Sequence, residues 1–259
     1  MSFRNAKRAL LSIFACLTVG GTSIQSATAQ AKASAHEWSY VGAEGPAHWG
    51  DLTADYATCK LGRRQSPIDI RDARQESLPP IKFDYRPSPL KIINNGHTIQ
   101  VDYARGSMMS AGGKRYELRQ FHFHHPSEEE INGKPYDMVI HLVHDDGEGH
   151  LAVVAVLLKQ GKANAAIRKL WDHLPGVEGK GESPAGIEVN AADLLPETLG
   201  YYAFEGSLTT PPCSESVAWY VLKTPVDVSS AEVAVFAKLY PHNARPVQPR
   251  NGRAILESK

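Results

Sequence analysis

The sequence predicts a mainly β fold in a single domain, and three observations carry that expectation. Turn-forming clusters such as "RPSPL", "NNGHT", "AGGKR", "INGKP", "DDGEG" and "LTTPPC" punctuate the chain about every ten residues, with short apolar or alternating runs between them. The run "LAVVAVLL", Leu151 to Leu158, is apolar on both faces, as a strand in the middle of a covered sheet should be. Helix-like spacing stands out in only two segments, "ANAAIRKLWDHL" and "SSAEVAVFAKLY", the second capped by Ser229 or Ser230, so helices are expected at the periphery.

The size of the chain agrees with one domain. Its 259 residues, 42% of them hydrophobic, can bury one sizeable core. Basic and acidic residues balance at 28 each, which marks out neither a phosphate-binding surface nor a polybasic membrane patch, so nucleic acid is not an expected partner.

The beginning of the chain has the pattern of a secretory signal. Arg4, Lys7 and Arg8 precede an apolar run from Ala9 to Val19, and Ala27-Thr28-Ala29 offers the small-x-small site of signal peptidase. Residues 1–29 are therefore expected to be removed and residues 30–259 to form the mature domain, periplasmic or secreted. The apolar run is shorter than the roughly 20 residues of a bilayer span, so no membrane span is expected. Cleavage before Cys16 as a lipoprotein is an alternative that Phe14 and Ala15 suit poorly. Once Cys16 is gone, Cys59 and Cys213 remain as an even pair in an oxidising compartment, where a disulfide is expected; two buried free thiols are the alternative.

Histidines mark the candidate site. In "RYELRQFHFHH" a strand places Gln120, His122 and His124 on one face and Phe121 and Phe123 on the other. In "YDMVIHLVHDD" the same period puts His141 with Val139 and Val143. If these strands pair, His141 adds a third imidazole, and three neutral imidazoles with an open fourth position make a catalytic zinc ligand set. His125, His144, His150 and His173 are read as structural. A competing reading takes His122, His124 and Glu128 as the His-x-His-x-x-x-Glu of a cupin iron or manganese site. It requires a second motif that does not follow Glu128.

The segments "WSYVGAEGPAHWG", "QSPIDI", "NNGHTIQV", "QFHFH", "PSE", "HLVH", "LAVVAVLL", "GSLTTPPCSESVAW" and "NARPVQP" together resemble, in order and spacing, the α-class carbonic anhydrases, exported bacterial members above all. The resemblance runs from about Trp38 to Ile255. It implies a large twisted, mostly antiparallel central sheet with short peripheral helices. It also implies reversible hydration of carbon dioxide to bicarbonate and a proton, by attack of a Zn²⁺-bound hydroxide. His122, His124 and His141 would hold the zinc.

Further roles follow from the same resemblance. Thr209 matches the residue that orients the hydroxide and donates its own proton to Glu128. Thr210 matches a position that contacts bound anions, and Val143, Val153, Leu208, Val217 and Trp219 the apolar wall for carbon dioxide. His97 matches the proton shuttle, and Tyr40, Asn95 and Gln100 positions that order water. Gln120 and the Asn243 carbonyl would accept from His122 and His124. A homodimer suits the bacterial resemblance, although the residues themselves mark no interface. A zinc-free adhesion module or a zinc-storage protein would not need this full set.

One position departs from the family pattern. Val139 stands where a glutamate usually accepts from the third ligand histidine, and Glu129 stands where many members have histidine. Either Glu129 takes over as acceptor for His141, or it is a solvated loop charge and His141 bonds water or a backbone carbonyl.

Overall fold

The computed structural model describes residues 38–259, so the signal segment 1–29, with its cleavage site, lies outside the described residues. Among the described residues, the two longest α-helices are the two with helical spacing. In Ala165–Trp171 the Asn164 side chain accepts from the N–H groups of Ala166 and Ile167. In Ser230–Leu239, Ser229 and Glu232 form a reciprocal capping box that satisfies otherwise orphaned N–H groups. The helical turns Trp49–Leu52 and Thr58–Leu61 are too short to leave a periodic signal.

The rest is organised by a 13-stranded sheet among the described residues. Its spine runs Ile92–Asn94, Ile99–Asp102, Lys114–His124, Met138–Asp145, Leu151–Gln160, Glu215–Leu222 and Tyr201–Ser207. Most pairs are antiparallel. The mixed character comes from Leu151–Gln160, which runs parallel to Glu215–Leu222 and to Val226–Val228, and at one edge from Leu256–Ser258, which runs parallel to Arg74–Glu76. This is the strand that is apolar on both faces, and Ala152 to Leu158 are all buried.

Strand alternation sorts the sheet into two unlike faces. Phe121, Phe123, Ile140, Leu142 and Val154 point to one side, where Ile167, Leu170, Val233 and Phe236 of the two helices join them in one core. Each such side chain contributes about 1.5–3 kcal/mol by leaving water. Val139, Val153, Val217 and Trp219 point to the other side. His122, His124 and His141 share that second side, and a one-residue slip would move them into the aromatic core, so packing of the first face sets the position of the second.

Candidate metal centre

Register brings the imidazoles together. His141 lies directly opposite His122 in the antiparallel pair of Lys114–His124 and Met138–Asp145, and Val139 lies opposite His124. The ring centroids of His122, His124 and His141 are 4.7 to 5.4 Å apart. One nitrogen from each lies within 4.8 Å of the other two.

The remaining nitrogens are already committed to acceptors. His122 Nδ1 donates to Gln120 Oε1 at 2.8 Å, and His124 Nδ1 to the Asn243 carbonyl at 2.7 Å. His141 Nε2 meets both oxygens of Glu129, at 3.1 and 3.2 Å. A neutral imidazole has one donor and one acceptor nitrogen, so these bonds leave lone pairs on Nε2, Nε2 and Nδ1. His124 Nε2 is buried and has no hydrogen-bond partner among the described residues. Three converging lone pairs, one of them otherwise orphaned, fit a tetrahedral cation with one open position.

Burial controls the charge of the group. It pushes His122 down to about 3, with neighbouring His141 adding to the effect, and holds His124 well below the usual range. Burial acts the same way on His141, but the charge and hydrogen bond of Glu129 outweigh it and leave that ring raised. Burial also lifts Glu128 to about 7, opposed by the charge of His141 and, more weakly, by the Arg245 backbone hydrogen bond and the nearby Thr209 side chain.

Glu128 is not one of the converging ligands. Its Oε1 accepts from the Arg245 N–H at 2.8 Å, and its Oε2 stands 3.5 Å from His124 Nε2 and 3.8 Å from His141 Nδ1. Thr209 is buried beside it. Thr209 belongs to a turn in which the Leu208 N–H donates to the Ser214 carbonyl and the Cys213 N–H to that of Thr210. That turn is tied down by the Cys59–Cys213 disulfide.

An apolar wall flanks the histidines. Val143 pairs directly with Val153, and Val153 with Trp219, across three adjacent strands. Val217 and Leu208 complete the same cluster. The Trp219 ring stands edge-on to His141 at 5.0 Å, and its indole N–H donates to the Ser207 carbonyl.

The water-ordering candidates lie around the loop after Ile92–Asn94. Asn95 Oδ1 accepts from the N–H groups of His97 and Thr98, and its amide reaches Gln100 Oε1 at 3.4 Å. Gln100 sits opposite His122 in the sheet. The His97 ring stacks on Trp38 at 3.7 Å, and both line an open cavity of about 470 Å³ with Tyr40, Glu44 and Glu178. Burial, then the charge of Glu128, holds the Tyr40 hydroxyl well above its usual value.

Two supporting residues escaped the sequence reading. Arg245 is buried, and its guanidinium bonds Gln65 Oε1 and the carbonyls of Ser66 and Cys59 while lying 5.6 Å over the Trp49 ring. Ser127 donates to the Glu129 carbonyl at 2.7 Å. Both stand inside quoted segments, "NARPVQP" and "PSE", but no local pattern separates a buried arginine or a pinning serine from an exposed one.

Comparison with known proteins follows the same lines. A family description for eukaryotic-type carbonic anhydrases matches residues 44–259. A carbonic anhydrase of Nostoc sp. is 42% identical over 264 aligned residues that cover the whole of both chains. A hyperthermostable carbonic anhydrase from a hydrothermal vent chimney superposes with a TM-score of 0.84 at 47% identity, covering 86% of this chain and 100% of that one. The α-carbonic anhydrase of Thermovibrio ammonificans, solved with the inhibitor sulfanilamide, gives a TM-score of 0.82 at 43% identity, covering 86% and 99%.

Proposed function

The chain belongs to the eukaryotic-type, or α-class, carbonic anhydrase family, and from that premise we propose that it is an exported zinc enzyme that reversibly hydrates carbon dioxide to bicarbonate and a proton. The observation that carries this reading is the convergence of His122 Nε2, His124 Nε2 and His141 Nδ1, each with its other nitrogen committed. Zinc held there would supply a Lewis acid that brings coordinated water into the neutral titration range, as zinc is known to do in carbonic anhydrases themselves.

The protein side chains do the rest. Glu128, with one oxygen committed to the Arg245 N–H and the other buried without a partner among the described residues, would accept from the Thr209 hydroxyl. With its proton directed there, Thr209 can only accept from an O–H in the site, which fixes the orientation of the attacking oxygen. Carbon dioxide has no net charge and no strong donor to grip, so Val143, Val153, Leu208, Val217 and Trp219 suit it as an apolar wall, with Thr210 at the anion-contacting position. His97 lines the open cavity, where an imidazole can pass the released proton to buffer. Tyr40, Asn95 and Gln100 would order the intervening water. The signal-like start of the chain and the disulfide both support export to an oxidising compartment.

Metal analysis together with stopped-flow carbon dioxide hydration tests the proposal. About one zinc per chain is expected, the count of a three-histidine site, with hydration lost on metal removal and blocked by an aromatic sulfonamide. Full activity after metal removal, or a requirement for iron or manganese, overturns it.

A further inference from the structure

Val139 and His141 lie two apart on one strand and so on one face. A carboxylate at 139 would sit beside the His141 ring; valine offers no acceptor. The ring nitrogen is nevertheless satisfied from a different part of the chain. Glu129 lies in the segment just before the short strand Glu130–Ile131 and places both carboxylate oxygens within 3.2 Å of His141 Nε2. We propose that Glu129 is the positioning residue of the third metal ligand, taking the task a same-strand acid would otherwise perform, and that Ser127 holds it in place. This rests on the metal-site reading above.

The physical case begins with burial. Glu129 is 0% exposed, and a buried carboxylate is costly unless a donor or a positive charge faces it. His141 Nε2–H is such a donor. The bond also decides the tautomer: with Nε2 protonated toward Glu129, the lone pair is left on Nδ1, the nitrogen that turns toward His124 and Glu128. With valine at 139 and glutamate at 129, one carboxylate still stands behind the ligand, reached from a different segment.

The backbone of this segment is pinned on both sides. Ser127 Oγ donates to the Glu129 carbonyl at 2.7 Å and accepts from the Tyr136 N–H at 2.8 Å. The Ser127 N–H donates to the Tyr136 carbonyl at 3.0 Å. Immediately after Glu129, Glu130–Ile131 is held between Asp69–Ile70 and Lys134–Pro135. The carboxylate thus stands on a braced segment, which a positioning acceptor requires.

Zinc loss from the purified holoprotein to an excess of a coloured chelator tests the inference. The variants are Glu129→Gln, Ser127→Ala, and Glu129→Gln combined with Val139→Glu. Glu129→Gln keeps an acceptor oxygen but removes the negative charge that strengthens His141 as a ligand, and should release zinc about 10-fold faster, the lower end of the usual cost of altering a ligand's hydrogen-bond partner. Ser127→Ala should accelerate release less, and adding Val139→Glu should slow it back toward the wild type. In cobalt-substituted protein the visible absorption should shift in Glu129→Gln and return in the combined variant, a change that general loosening of the fold would not reverse. A wild-type release rate in Glu129→Gln overturns the inference, as does a combined variant that releases zinc as fast as Glu129→Gln alone. An unchanged rate in Ser127→Ala overturns the part assigned to Ser127. Wild-type protein that binds no zinc overturns the metal reading itself, and this inference with it.

Discussion

The backbone N–H of Arg245 donates to Glu128 Oε1 at 2.8 Å, so one oxygen of this buried carboxylate is taken and its orientation set from outside the metal centre. In Glu128→Gln the amide oxygen keeps that bond and the NH₂ group occupies the other corner. An NH₂ must donate, so the Thr209 hydroxyl would turn its proton away from residue 128 and stop being an oriented acceptor. Hydration turnover should fall about 100-fold, the scale of a misplaced reacting group, while zinc content stays at the wild-type level. Loss of zinc in step with activity would instead make Glu128 a ligand, as in the cupin reading.

The same arginine bonds the Cys59 carbonyl, and Gln65 bonds that of Cys213, so the disulfide sits in a buried polar frame beside the Thr209 turn. The bridge joins residues 154 apart in sequence. Closing so long a loop restricts the unfolded chain, and reduction should cost about 3–5 kcal/mol in a denaturant titration with and without reductant. Unreduced protein should show no free thiol; two titratable thiols would contradict the structure.

His97 stacks on Trp38 in an open cavity, which suits a group that exchanges protons with solvent species. Replacing it with alanine should slow turnover about 10-fold or more in dilute buffer and far less in concentrated imidazole, which can carry the proton instead. Equal loss under both conditions would remove His97 from the proton path.

His144 carries a pH prediction for stability. The Tyr85 hydroxyl lies 2.6 Å from its Nε2, its Nδ1 faces the Ala152 carbonyl, and burial pushes it down to about 4. The unfolded chain takes up a proton near 6.5 that the folded protein refuses, so stability falls as pH drops from about 6.5 to about 4 and loses nothing further from this group below that. The loss is on the order of 3 kcal/mol. Urea titrations should show a flatter dependence over that window in His144→Gln than in the wild type; parallel slopes would refute the assignment.

The division between what was readable in the sequence and what was not follows the range of the interactions. A period of two, acting within one strand, is enough to put Gln120, His122 and His124 on a single face and His141 on a face with Val139 and Val143. Two helices are legible because their apolar residues recur near every 3.6 positions, and the structure adds local caps at Asn164 and Ser229. The segments shared with the carbonic anhydrases carried the ligand set, because metal chemistry restricts residue type as well as spacing. Sequence left open whether Glu129 was a solvated charge or the acceptor of His141, since nothing local says whether a glutamate beside a turn is exposed or buried. That required the Ser127–Tyr136 closure and the pairing of Glu130–Ile131 with Asp69–Ile70, a contact between parts of the chain some 60 residues apart. Arg245 under Glu128, the parallel strand at the centre and the stack of His97 on Trp38 belong to the same class. Local backbone geometry determines which way a side chain points, but only the packing of distant segments determines what it meets.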